Sequence, residues 1–192
     1  MCLMRRDGER MVLDLPDDRC ERERIFKAID DAFRAGDFER LGNALGSSSR
    51  WFDEEMPSDL GLGHPLEYAI YWSPVAFIRT LLEAGSNANY VDDAGFPSLI
   101  ATLSTDRHDK LDIVRLLLEF GADPNQRGIN DWTPLHYAAN KAEQDAIGLL
   151  LRSGADPTLR TRIDDCATAA EEADRLGLMD VAAMLRIGER QP

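Results

Sequence analysis

The side chains of this 192-residue chain that could perform chemistry are three histidines, three cysteines and a few adjacent carboxylates. His64, His108 and His136 are not at metal-ligand spacing and form no motif with the cysteines. Cys2, Cys20 and Cys166 are too few, too scattered and odd in number for a disulfide framework or a zinc knuckle. Cys166 reads as a small, semi-buried filler. The acidic pairs Glu54-Glu55, Asp92-Asp93 and Asp164-Asp165 are sequence neighbours, which a helix or strand points in different directions, although a fold could still assemble an acid and a base through space. The Gly-Ile-Asn and Gly-Leu-Gly pieces do not continue into the Gly-Lys-Ser or Gly-Lys-Thr of a phosphate loop. The reading is therefore a non-enzyme with no catalytic residue, no metal and no cofactor.

The elements that would position these residues are clearest from Asn130 to Ala139 and from Ala146 to Asp156. Thr133-Pro134-Leu135-His136 puts a proline in the first turn of a helix, where its missing N–H leaves no bond unmade. Leu135, Ala138 and Ala139 give a narrow apolar stripe. Residues 142–145 interrupt it, and Ile147, Leu150 and Leu151 resume it until Gly154 supplies a left-handed cap. Two short antiparallel helices follow, neither long enough to be stable alone, and the alanines let neighbouring helices approach closely.

This unit resembles the ankyrin repeat, whose signature is Thr-Pro-Leu-His-x-Ala with a period of roughly 33 residues. The implied fold is an all-α solenoid of stacked helix-turn-helix units with protruding hairpin loops. The period recurs: Gly154 lies 33 residues after Gly121, and Gly85 lies 36 before it. Leu66, Leu99 and Leu135 open helices 33 and 36 residues apart, which places three extra residues in the turn from Ser104 to Asp109. Ile29, Ala32, Gly36, Leu41 and Leu45 keep the same offsets without Thr-Pro, and Thr168, Ala173, Gly177, Val181, Ala182 and Leu185 do so at the other end. Both flanking units read as degenerate caps, in which the consensus relaxes where one face meets solvent. The expected organisation is an N-terminal arm over 1–21, a repeat domain over 22–187 and a tail over 188–192, with repeats near 22–50, 61–92, 94–128, 130–161 and 165–187.

Residues 1–24 are dense in charge and bury little, so a flexible arm is expected, with Met11 to Pro16 as an alternative strand lying on the first repeat. Residues 46–63 exceed the ordinary connection. Trp51, Phe52, Leu60 and Leu62 make this a packed excursion, in which Trp51 and Phe52 are either core filler or a partner-binding knob. No apolar run is long enough for a signal peptide or a membrane span, which predicts a cytoplasmic protein. Lysine plus arginine number 22 against 35 acidic residues, a formal charge of −13. That sign argues against nucleic acid or an anionic membrane as partner and suits a protein with a basic patch, unless the charge serves solubility alone.

The resemblance implies an adaptor or regulator that binds a folded protein through its concave face and hairpin tips. An inhibitor or immunity-type protein masking a basic site of a cytotoxic enzyme is the alternative. The positions that would meet a partner are Gly63, Tyr71 and Trp72, then Phe96, Ser104 and Thr105, then Asn130, Trp132, Asn140 and Lys141. Tyr71, Trp72, Phe96 and Trp132 would lie along one face, as rings that bury large area with few rotatable bonds, and Trp132 would be the dominant anchor. Thr133 and His136 are expected to hydrogen-bond within and between helix starts. His64 stands where the family has Thr, which weakens that expectation there, and Phe96-Pro97-Ser98-Leu99 moves the proline one place earlier. Asn87, Asn89, Asp123, Asn125 and Asp156 follow helix-ending glycines, where short polar side chains bond their own backbone.

Overall fold

Repeat sequences of this kind place helices in pairs because each short helix can bury its apolar stripe only against neighbours. The computed structural model describes residues 4–7, 10–13, 18–45, 52, 56, 62–90, 95–162 and 166–188. The three acidic pairs, Cys2, Trp51 and Leu60 lie outside the described residues. The chain divides into two compact units, residues 1–88 and 89–192.

The first unit opens with strands β1 (Met4–Asp7) and β2 (Arg10–Leu13), paired antiparallel with Met4 opposite Leu13 and Asp7 opposite Arg10. The span expected as a flexible arm therefore contains a hairpin. Two residues separate its strands, the connection length that hairpins use most often, and strand pairing satisfies backbone groups without needing an apolar core. Helix α1 (Arg19–Ala35) also starts inside the expected arm, because the Asp18 carboxylate accepts the Cys20 N–H at 3.0 Å and caps it there. Helix α2 (Phe38–Ala44) is capped by Asp37, which accepts the Arg40 N–H at 2.9 Å. Helices α3 (Pro65–Trp72) and α4 (Val75–Ala84) complete the unit, with α3 packed on α1.

The predicted core of this unit is in place: Ile29, Ala32, Leu41, Leu45 and Leu66 are fully buried. A buried leucine or isoleucine contributes about 1.5–3 kcal/mol. The Phe33 ring lies 4.8 Å from Tyr68 and 6.0 Å from Phe77, and Phe38 lies 6.4 Å from both Phe77 and Phe52. Phe52, which the sequence left between core and interface, is thus half-buried at the edge of the aromatic cluster, and its carbonyl accepts the Ser86 hydroxyl at 2.6 Å. Met56 and Leu62 of the same excursion are buried.

The second unit contains α5 (Ser98–Ser104), α6 (Lys110–Glu119), α7 (Pro134–Asn140), α8 (Gln144–Arg152), α9 (Ala169–Arg175) and α10 (Met179–Gly188). Helix α7 packs between α5 and α9, while α8 packs against α6 and α10, so first helices form one layer and second helices the other. Leu99, Leu103, Ile113, Leu117, Leu135, Ala138, Ile147 and Leu150 fill the space between the layers. The second helix of the central pair ends where expected, with Gly154 at φ 89°, a conformation that a Cβ would oppose. Two of the three extra residues fall in the predicted turn, since the α5 to α6 connection has five residues, Thr105 to Asp109, against three between α7 and α8, and the third lengthens α6, which has 10 residues against 9 in α8.

The loops carry one isolated bridge, Arg160 with Thr168, among the described residues. They are joined instead by side chains and by close backbone approach. Ile129 N–H donates to the Gly95 carbonyl at 2.7 Å, and a Cβ on Gly128 would stand 2.6 Å from that same oxygen. Asn89 accepts the Asp123 N–H at 2.6 Å and donates to the Gly121 carbonyl at 2.8 Å. Asn125 repeats this one unit later, accepting from Asp156 N–H at 2.7 Å and donating to Gly154 at 3.2 Å. The two asparagines thus bond the following loop, because a full repeat brings that loop alongside. Asp123 and Asp156 do bond locally, to Asn125 N–H at 2.8 Å and Thr158 N–H at 2.9 Å.

Candidate partner-binding site

In the first unit the expected residues close α3. Tyr71 is half-buried, and Trp72 at the helix end is 49% exposed. The Arg34 guanidinium lies over the Trp72 ring, 4.5 Å from its centroid, a cation–π contact between α1 and α3. Arg34 is itself held by Asp30, whose two oxygens it meets at 2.8 and 2.9 Å, and the Tyr68 hydroxyl donates to Asp30 at 2.6 Å. Burial opposes the charge on Asp30, but Arg34 and Tyr68 outweigh it and hold the carboxyl below its ordinary range. Burial and the neighbouring Asp30 push the Tyr68 phenol up, so it stays a donor. Gly63 is half-buried at φ 63° and its carbonyl accepts the Met56 N–H at 2.9 Å.

His64 corrects one expectation. Its Nδ1 accepts the Leu66 N–H at 3.3 Å, so the ring caps α3 in place of the threonine hydroxyl. The ring nitrogen serves the orphan amide two residues on, where the Thr168 hydroxyl serves the one three residues on, Glu171 N–H at 3.2 Å.

In the second unit Phe96 and Trp132 converge on Tyr137. The Phe96 and Tyr137 centroids are 6.3 Å apart at 70°, and those of Trp132 and Tyr137 are 5.3 Å apart at 75°. Both are edge-to-face arrangements, which use the complementary charge of ring edge and ring face. Trp132 also lies 6.1 Å from the His136 ring and is half-buried. Asn130 is exposed near this cluster in sequence, and Asn140 and Lys141 are exposed where α7 ends. Ser104 is half-buried and Thr105 is buried. Their hydroxyls turn back to the Ala101 and Thr102 carbonyls, each at 2.7 Å, and satisfy the end of α5.

The Thr133 and His136 pair holds the base of this cluster. Thr133 Oγ1 lies 2.8 Å from His136 Nδ1, which also accepts the Thr133 N–H at 3.3 Å, and Nε2 faces the Ala167 carbonyl at 3.1 Å. An acceptor at Nδ1 and a donor at Nε2 describe a neutral imidazole. Burial holds its pKa below the ordinary histidine range. Beneath Trp132, Asp131 accepts the Arg162 N–H at 2.7 Å and pairs with its guanidinium and with Arg127. Arg162 first, with Arg127, holds the Asp131 carboxyl below its usual range. Asn130 and Asp131 both have positive φ, 56° and 60°, which short polar side chains tolerate. Cys166, expected semi-buried, is exposed: it takes φ 51°, and its carbonyl accepts from Arg160 Nη1 at 2.8 Å.

Sequence reasoning missed Tyr137, Arg34 and Glu171. Tyr137 is the unspecified x of Thr-Pro-Leu-His-x-Ala. Glu171 did carry a signal, Thr168-x-x-Glu171, and forms a capping box with Thr168 N–H donating at 2.9 Å while Arg160 holds both its oxygens at 2.8 Å. Among the described residues no group of three His, Cys, Asp or Glu side chains could hold a metal ion. No described helix is long and apolar enough to cross a membrane.

The family profile described as "Ankyrin repeats (3 copies)" matches residues 66–161, half of the chain. The chain belongs to the ankyrin-repeat family. Ankyrin domains generally mediate protein–protein interactions. Over 107 residues, 54% of its length, this ankyrin chain is 35% identical to a protein of Oryza sativa subsp. japonica called "Probable E3 ubiquitin-protein ligase XBOS34" and covers 20% of it. Over 57 residues, 29% of its length, it is 46% identical to the human 2-5A-dependent ribonuclease and covers 8% of that protein. Over 111 residues, 57% of its length, it is 32% identical to the Schizosaccharomyces pombe glycerophosphocholine phosphodiesterase gde1 and covers 9% of it. The ankyrin segment thus spans about a fifth or less of these relatives.

Proposed function

We propose that this ankyrin chain is a non-enzymatic protein-binding module, an adaptor or regulator acting in the cytoplasm. It meets a folded partner through the hairpin tips and the concave face that the first helices line. The stack would comprise five repeats, the first and last acting as caps. The observation that carries the reading is the edge-to-face cluster of Phe96, Tyr137 and Trp132, which sets a large ring in a fixed pose at the start of α7, whose other end carries exposed Asn140 and Lys141. A ring already ordered by its neighbours loses little entropy when it enters a partner's pocket. Trp72, half exposed beneath Arg34, is the corresponding ring of the first unit.

The formal charge of −13 supports a partner with a basic patch over nucleic acid or an anionic membrane. The same charge favours a second reading, an inhibitor that masks the basic site of a cytotoxic enzyme. Affinity purification with the intact chain and with Trp72→Ala/Trp132→Ala side by side tests the first proposal. The expected result is a defined partner held by the intact chain and lost from the double variant. Equal recovery by both would remove the aromatic residues from the interface, and a partner that is a cytotoxic enzyme would select the second reading.

A further inference from the structure

Helix α10 packs on α9 and α8 and buries Val181, Ala182 and Leu185, while its remaining face exposes Met179, Asp180, Ala183, Arg186 and Ile187. An end helix of a stack ordinarily turns polar residues outward. Here Met179 and Ile187 are 62% and 61% exposed, and with Ala183 between them at four-residue spacing they form one apolar row along the helix.

The contact of α8 with α10 shows what such a row accepts. The two helices meet at Gly148, where a Cβ would stand 3.3 Å from the Met184 side chain, so a small residue sets their close approach. Ala183 lies 35 residues after Gly148, the interval that also separates Thr133 from Thr168 and the start of α8 from the start of α10. It therefore holds on α10 the place that Gly148 holds on α8, and the outer row is shaped to receive a helix.

The order of this row is the same in both directions. About Ala183, an antiparallel second α10 brings residue 179 level with 187, 180 level with 186, and 183 level with itself. Methionine then meets isoleucine, aspartate meets arginine, and the two alanines let the axes approach. An interface on a two-fold axis requires such self-complementarity, because every contact occurs twice. Arg186 already pairs with Asp174, yet its side chain remains 45% exposed and a guanidinium carries five donors, so it can serve a second carboxylate.

We propose that α10 docks on the α10 of a second copy of this chain, antiparallel and with Ala183 at the two-fold axis. Asp180 of each copy lies beside Arg186 of the other. One ten-residue helix face offers less than the roughly 800 Å² per partner of a stable complex. The formal charge of −13 on each copy also opposes association, but at about 0.15 M salt screening limits that repulsion to about 8 Å and leaves the apolar row unaffected. A weak dimer follows, with a Kd of about 0.1–1 mM. Docking at α10 is independent of any partner met through Trp132, so the two readings fail separately.

Sedimentation equilibrium of the full chain from about 10 µM to about 1 mM, at about 0.15 M salt, is the test. The mean mass should rise from that of a monomer toward that of a dimer. Ala183→Glu, at an exposed position where glutamate keeps the helix, sets two carboxylates on the axis and should hold the protein monomeric throughout. Asp180→Arg and Arg186→Asp should each weaken their own dimer at least about five-fold, and an equal mixture of the two should associate at least as strongly as the intact chain. Only the mixed pair sets unlike charges level at both ends. Circular dichroism and the thermal midpoint establish that each variant is folded. A constant monomer mass for the intact chain would overturn the proposal and leave the row to another occupant, a further helix pair. Undiminished association of Ala183→Glu would move the contact to a different face, and a mixture no stronger than either variant alone would overturn the antiparallel pairing.

Discussion

His136 receives Thr133 on one ring nitrogen, 2.8 Å from its hydroxyl, and turns the other toward the Ala167 carbonyl at the entrance of α9. One imidazole therefore caps its own helix and fixes the next helix pair. The bond from Thr133 needs the neutral ring, because a second proton on Nδ1 would meet the Thr133 N–H, whereas Nε2–H donates to Ala167 in either state.

The consequence is a pH-dependent stability. Burial lowers the folded-state pKa of His136, so the unfolded chain takes up its proton first as pH falls. The stabilisation is complete above about pH 6.5 and declines as pH is lowered through that value toward the depressed folded pKa. The slope cannot exceed about 1.4 kcal/mol per pH unit for one proton. Urea denaturation of the intact chain and of His136→Gln at several pH values between about 7.5 and about 5.5 measures it. His136→Gln should lose the slope. An equal slope in both proteins would assign it to other groups.

Asp131 combines an acceptor with a left-handed backbone, at φ 60°. Asp131→Asn keeps the backbone tolerance and weakens the links to Arg162 and Arg127. It should lower stability by about 1 kcal/mol, a modest figure because the Arg162 side chain is largely exposed and screened. Asp131→Ala also forces alanine into the left-handed region and should lose about 1–2 kcal/mol more. Equal losses for the two variants in urea denaturation would show that the backbone conformation carries no strain.

The repeat offsets made the helix pairs and most of their core legible, since Ile29, Leu66, Leu99, Leu135 and Ile147 are buried where a fixed period puts them. Contacts between successive repeats were legible in principle by the same rule. Lys110 and Glu143 are 33 residues apart, as are Arg127 and Arg160, and residues one period apart become neighbours when repeats stack. The asparagines were assigned to their own loops because a local bond is the default for a short polar side chain, whereas here the following loop lies closer. Tyr137 could not be found this way. The repeat leaves its identity open, and only the packing brings it between Phe96 and Trp132. The hairpin from Met4 to Leu13 was hidden by its charge, since backbone pairing leaves no compositional mark.

Carboxylate excess should act on encounter with the partner. Raising salt is expected to slow association more than it speeds dissociation, because screening removes long-range attraction while leaving buried contacts in place. Stopped-flow association at low and high ionic strength measures this. Equal rates would leave the charge of −13 as a solubility feature.

The central claim is that Trp132 is an interface residue held ready by Tyr137, and Trp132→Ala tests it when affinity for the isolated partner and the thermal midpoint are measured on one preparation. Truncation should lower affinity by at least about thirty-fold, or about 2 kcal/mol. Losing the ring pair with Tyr137 should reduce stability by only about 0.5–1.5 kcal/mol. Unchanged affinity with a lowered midpoint would contradict the claim and assign Trp132 to the scaffold.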